Sequence, residues 1–163
     1  ASTPLKTTVA YNARKILASP PAFIWTVLLL ADQLAKVLED LKSLKKPVVM
    51  AVSLRASPFA VVASMLNSID CEIIDHMGPT PKILEEQSVI GSRTQEESIY
   101  LGDFCIGGTE IRIAQTYALL RGRAMRRAVV IGCVVTDDGA FPGVLVNSLV
   151  DLKTICPDAK YEL

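Results

Sequence analysis

The most chemically suggestive stretch of this chain is Asp103-Phe104-Cys105-Ile106-Gly107-Gly108-Thr109-Glu110. It follows a hydrophobic run, Ile99-Tyr100-Leu101, and leads into a helical pattern. That order suits an anion. Glycines let the backbone come close to a phosphate. The first N–H groups of a helix, with the positive end of its dipole, face whatever lies before it. Thr109 can cap the helix or give its hydroxyl to a phosphate oxygen. Asp103 is an acceptor suited to sugar hydroxyls. Gly-Gly-Thr before a helix also makes an ordinary turn and cap, so the three residues alone leave both uses open. Neither G-x-G-x-x-G nor G-x-x-x-x-G-K-[ST] occurs, which excludes a dinucleotide fingerprint and a P-loop.

The elements around this stretch set its position. Ser19-Pro20-Pro21 separates an N-terminal arm, residues 1–21, from a main domain, 22–163. From Ala22 to Leu44, Val27, Leu30, Leu34, Val37, Leu38 and Leu41 fall three and four apart and predict a helix. Val48 to Val52 is a continuous apolar run, the pattern of a strand buried on both faces. A turn at Ser53–Ser57, a helix at Pro58–Asn67 and a strand at Cys71–Ile74 complete a βαβ unit. Residues 77–97 are punctuated by Gly and Pro and predict a long irregular excursion. Ser98–Leu101 is the third strand. The helix at Glu110–Arg121 has Ile111, Ala114, Ala118 and Leu119 on its inner face. Ala128–Val135 is the fourth strand, and Val144–Val146 a short fifth. Ser148–Ile155 reads as a closing turn of helix, and Trp25 as core. This alternation predicts an α/β domain with a parallel twisted sheet flanked by helices. In such a sheet ligands sit beyond the carboxyl ends of the strands. Three turns then face the ligand: Ser53–Ser57, Gly102–Thr109 and Thr136–Gly143.

Composition narrows the function. The 163 residues carry 17 basic and 17 acidic side chains, so no overall field attracts nucleic acid. Arg121, Arg123, Arg126 and Arg127 make a local basic group without interleaved aromatics, and a nucleic-acid partner is not expected. Cys71, Cys105, Cys133 and Cys156 form no C-x-x-C pair and, with His76 the one histidine, offer few metal ligands. Reduced core cysteines and an intracellular, reducing compartment, cytoplasmic or mitochondrial, are the expectation. Lys6, Arg14 and Lys15 stand among the first fifteen residues without an acid. That fits either a residual organelle leader or an ordinary polar arm. The apolar run Ala22–Ala31 is shorter than the roughly twenty residues a membrane-spanning helix needs.

The stretch from Leu101 to Thr109 resembles the type I phosphoribosyltransferases, most closely the orotate type. That family follows a strand with two adjacent acids, a short loop, and a small-residue pair with Thr before a helix. Asp103 matches the second acid, and Gly107, Gly108 and Thr109 match the phosphate turn. Pro47–Ile74 resembles the family's first βαβ unit, and Val129–Val135 and Ser148–Leu152 resemble later segments. The resemblance covers residues 26–155, though only Gly102–Glu110 is specific. It implies the family's fold, a phosphorylated sugar or nucleotide as ligand, a homodimer or a larger complex, and Mg2+ if the chain is active. Asp103 then takes the catalytic place. Gly107, Gly108, Thr109, Glu110 and Arg55 hold the substrate and its phosphate, and Asp137, Asp138 and Phe141 lie on the base side.

The departures from the family bear on catalysis. Gly102 replaces the first acid, and Ile106 a hydroxyl residue. Ser53-Leu54-Arg55-Ala56-Ser57 replaces a glycine-rich pyrophosphate loop. Thr136-Asp137-Asp138 stands where the orotate enzymes carry an arginine, and Lys82 and Arg93 are the mobile loop's only cations. Three functions follow: a binder of ribose 5-phosphate or a nucleotide with weakened or lost catalysis, a structural subunit of a larger assembly, in the mitochondrion or elsewhere, or an active divergent transferase using phosphoribosyl pyrophosphate and magnesium.

Overall fold

The computed structural model describes residues 5–6, 12–41, 47–74, 96–134, 141–155 and 160–161. His76, Lys82, Arg93, Asp137, Asp138, Cys156 and most of the 77–97 excursion lie outside them. In chain order the elements are β1 (Leu5–Lys6), α1 (Ala13–Leu17), α2 (Pro20–Asp40), β2 (Val48–Val52), α3 (Ser57–Leu66), β3 (Asp70–Ile74), β4 (Glu97–Cys105), α4 (Thr109–Leu120), β5 (Ala124–Cys133), β6 (Leu145–Asp151), α5 (Leu152–Ile155) and β7 (Lys160–Tyr161). Five strands form one sheet in the order β3-β2-β4-β5-β6, every neighbouring pair parallel. β1 and β7 pair antiparallel in a separate two-stranded ribbon.

Helices cover both faces of the sheet, which is why its central strands read as unbroken apolar runs. All five residues of β2 are buried. Val49, Ala51, Ile99, Leu101, Val129 and Ile131 pack against Val27, Leu30 and Leu34 of α2 and Phe59, Ala60 and Ala63 of α3. Met50, Val52, Tyr100, Ala128 and Val130 face the other way, onto Ile111, Ala114, Tyr117 and Ala118 of α4. The period of two along each strand thus sorts neighbouring residues into two cores. Ala13 of α1 joins the first of them.

α2 starts where its sequence allows. Pro20 and Pro21 occupy the first helical positions, where a missing N–H costs nothing. The helix has 21 residues, long and apolar enough to match a membrane span by length and composition. One stripe of it, Val27, Leu30, Ala31, Leu34 and Val37, is nevertheless buried against the sheet.

Several boundaries differ from expectation for tertiary reasons. β4 continues past Leu101 to Cys105, because β5 offers pairing partners as far as Cys133. Ser148 to Asp151, expected as helix, instead extends β6 along the open edge of β5, and only Leu152–Ile155 turns helical. β5 begins at Ala124 and not at the expected Ala128, so Arg126 and Arg127 are strand residues. Arg123 bonds Glu72 at 2.6 Å and Glu96 at 3.0 Å, a structural ion cluster at the end of the sheet away from the candidate site. On α4 the inner-face position expected of Leu119 belongs to Tyr117, and Leu119 is exposed. Trp25, expected in the core, is 68% exposed on α2.

Candidate functional site

The strand order reverses between β2 and β4, since β3 lies on one side of β2 and the later strands on the other. A cleft opens at such a switch point, beyond the carboxyl ends of the strands. The segment after β2 and the turn after β4 meet there. Between them is a cavity of about 210 Å³ lined by Arg55, Tyr100, Phe104 and the turn from Cys105 to Ile111. That is below the roughly 300–1,000 Å³ of ordinary small-molecule pockets and is nearer the size of one phosphate-bearing fragment. A larger cleft of about 320 Å³, between Leu38, Pro47 and Asn67–Asp70, lies at the amino ends of β2 and β3, away from these groups.

Each wall of the cavity has a local cause. Gly108 is the N-cap of α4, with φ of 69°. An L side chain avoids that conformation, and glycine accepts it freely. A Cβ at Gly108 would also stand 1.9 Å from the ring of Phe141. Phe141 is 3% exposed, so the described end of the third turn closes onto the second as a core residue. Arg112 lies over the same ring at 5.9 Å. Gly107 has open space around it. Because Gly108 is the cap, Thr109 is the first helical residue and is exposed. The expected alternative of a Thr109 side-chain cap therefore does not occur.

Asp103 is a strand residue, 5% exposed, and accepts the Phe104 N–H at 2.7 Å. Three residues before it, Tyr100 leans along the strand over Gly102. The ring covers Gly102 so closely that a Cβ there would stand 2.2 Å from the phenol oxygen. The phenol donates to Glu110 Oε2 at 2.9 Å. Burial, followed by the charge of Glu110, pushes the Tyr100 hydroxyl well above its ordinary pKa and keeps it a donor. Arg55 spans the opening, 3.7 Å from Asp103 and 3.6 Å from Glu110. Its side chain is 55% exposed, so these long ion pairs contribute little stability. Burial raises the pKa of Glu110, with Asp103 adding to the rise; bonds from Tyr100 and Ser53 and the charge of Arg55 oppose it.

Ser53 is the turning point after β2, and its φ is 106°. A non-glycine residue there carries a strain of about 1–3 kcal/mol. The strain is held by neighbours: Ser57 donates its hydroxyl to the Ser53 carbonyl at 2.7 Å, and its N–H to the same oxygen at 3.1 Å.

The expected residues Arg55, Gly107, Gly108, Thr109 and Glu110 thus line one cavity, with Asp103 beside Arg55 and Phe141 behind Gly108. Asp137 lies outside the described residues. Sequence reasoning missed Tyr100, Ser53 and Arg112. A signal for Tyr100 existed, since a glycine inside a buried strand marks the close approach of another group. As chemistry, the arrangement offers helix-end N–H groups, a hydroxyl and one arginine for an anion, beside two carboxylate acceptors for hydroxyl groups.

No protein-family model matches the sequence, and no curated protein matches it. Solved structures do match the fold. The orotate phosphoribosyltransferase of Aeropyrum pernix superposes with a TM-score of 0.64 at 16% identity, over 91% of this chain and 82% of that one. The adenine phosphoribosyltransferase of Thermoanaerobacter pseudethanolicus gives 0.62 at 11% identity, over 92% and 95%. Leishmania donovani UMP synthase gives 0.59 at 18% identity, over 90% of this chain and 30% of that one. The chain has the fold of the type I phosphoribosyltransferases.

Gly108→Ala should lose at least about 2 kcal/mol in urea unfolding, from the left-handed backbone and the clash with Phe141. Gly107→Ala, with open space around it, should stay within about 0.5 kcal/mol of the parent. Because the folded pKa of Glu110 is raised, its protonated form favours folding. Its contribution should therefore be complete below the ordinary carboxylate range and fall as pH rises through the raised value. Unfolding midpoints across that range should show this fall in the parent and lose it in Glu110→Gln.

Proposed function

We propose that this chain binds a ribose 5-phosphate, alone or within a nucleotide, at the Asp103–Glu110 loop, and that its phosphoribosyl-transfer activity is weak or lost. The phosphate would sit at the Gly107–Thr109 turn, held by helix-end N–H groups, the Thr109 hydroxyl and Arg55. Asp103 would accept from the ribose hydroxyls. Glu110, fixed by Tyr100, would position Arg55.

The observation that carries the reading is the Tyr100 ring over Gly102. In the family that this chain resembles, an acid stands at that place. Here the ring fills the space its side chain would need. The pyrophosphate side is altered as well, since Leu54 and Arg55 stand where glycines would admit close backbone contacts. Transfer gains most of its rate from aligned groups that stabilise developing charge, and one lost donor costs on the order of 2.7–4 kcal/mol. Two such losses leave little turnover, while a helix-end phosphate turn needs neither group. Magnesium does not fit as a protein-held cofactor. Asp103 and Glu110 both face Arg55, and no three acids, histidines or cysteines gather among the described residues.

A second reading, a subunit of a larger assembly, is favoured by the outer face of α2. Ile24, Trp25, Leu28 and Leu29 are each about half exposed or more. The two readings are compatible, and a ligand-binding measurement separates a live pocket from a vestigial one. Ribose 5-phosphate at about a hundred times its Kd should raise the unfolding free energy by about 2.7 kcal/mol. Thr109→Val should lose most of that gain while keeping the ligand-free stability. No shift at millimolar ligand would leave the assembly reading in its place.

A further inference from the structure

Beneath the phosphate turn lie two thiols that the reading above does not use. Cys105 ends β4 and Cys133 ends β5, and the parallel register sets them directly opposite each other. Both side chains face the α4 core, 5% and 2% exposed. Cys133 raises the pKa of the Cys105 thiol, and the backbone N–H of Gly108 lowers it. Cys105 also lines the 210 Å³ cavity.

We propose that Cys105 and Cys133 are a redox-active dithiol that closes to a disulfide and so reports the redox state to the phosphate turn. Neighbouring strands stand about 4.7–4.9 Å apart, inside the roughly 4.4–6.8 Å between Cα atoms that a disulfide bridges. Side chains paired across two strands and facing the same core need only rotamer changes to join. The oxidant is a small disulfide of the glutathione class. The Cys105 thiolate attacks one of its sulfurs and releases one thiol. Cys133 then attacks the Cys105 sulfur of the mixed disulfide and releases the second. Two S–H bonds are lost and one S–S bond forms. The electron pair and both protons end on the two released thiols.

Oxidation acts on the turn through Gly108. In the dithiol form the Gly108 N–H favours the Cys105 thiolate, and in the disulfide the sulfur is drawn toward Cys133, a poorer partner for that group. Cys133, and then burial, push the Cys105 thiol above its ordinary range, so the exchange is slow at neutral pH and quickens as pH rises. The proposal stands whether or not the turn holds a phosphate.

The full chain would be equilibrated natively in graded ratios of reduced to oxidised glutathione, then alkylated and digested with trypsin. Each cysteine falls on its own tryptic peptide, Cys105 on residues 94–112 and Cys133 on 128–153. The expected result is those two peptides joined, with Cys71 and Cys156 still alkylated and the cross-link absent in Cys105→Ser. Gly108 amide exchange should also be faster in the oxidised form. Both peptides remaining alkylated, at ratios where the urea-unfolded chain cross-links, would overturn the dithiol. A cross-link with unchanged Gly108 exchange would overturn its coupling to the turn.

Discussion

A phenol ring lying over a glycine on one central strand governs the rest of the site. Tyr100 and Gly102 share a face of β4, two residues apart, and only the absence of a Cβ at Gly102 gives the ring room. The ring's hydroxyl then reaches Glu110 in the first turn of α4. Strand and helix end are thereby joined by a partly buried hydrogen bond from a neutral donor to a carboxylate. Such bonds are stronger than neutral ones and lose heavily when one partner is removed. Glu110, so fixed, faces Arg55 across the opening. One steric concession in the strand thus decides which carboxylate is present, where the helix points its first acid and where the single arginine rests.

The same contact separates binding from chemistry. A parallel sheet with a switch point between β2 and β4 supplies a cleft whatever the side chains are, and α4 supplies N–H groups at its end. Those backbone features survive nearly any substitution outside the turn. Stabilising a departing pyrophosphate needs particular side chains and close backbone approach, and on the proposed reading Gly102, Leu54 and Arg55 do not supply them. Likeness of fold at 11–18% identity therefore carries the cleft across and leaves the chemistry to the residues in it.

Much of this was legible in the sequence. The unbroken apolar run at Val48–Val52 marked a doubly covered strand, and Gly107-Gly108-Thr109 marked the turn, because these signals are local. Signals that depend on a partner were not. The start of β6 was legible at Val144–Val146, but its continuation was not, because Ser148 to Asp151 has no strand pattern of its own and pairs along the edge that β5 leaves open. Trp25 read as core from its apolar neighbours, yet two turns of α2 put Val27 and Leu30 inward and leave Trp25 outside. The Tyr100–Glu110 bond joins residues ten apart, and its existence depends on a rotamer that only the folded cleft selects.

The most direct test is a calorimetric titration of the chain with ribose 5-phosphate and, in parallel, with phosphoribosyl pyrophosphate and magnesium. If the proposed reading holds, the site should bind ribose 5-phosphate at least as tightly as phosphoribosyl pyrophosphate. Pyrophosphate should not be released when bases are added. Tighter magnesium-dependent binding of phosphoribosyl pyrophosphate, with its consumption in the presence of a base, would contradict the loss of catalysis and return the chain to the active transferases.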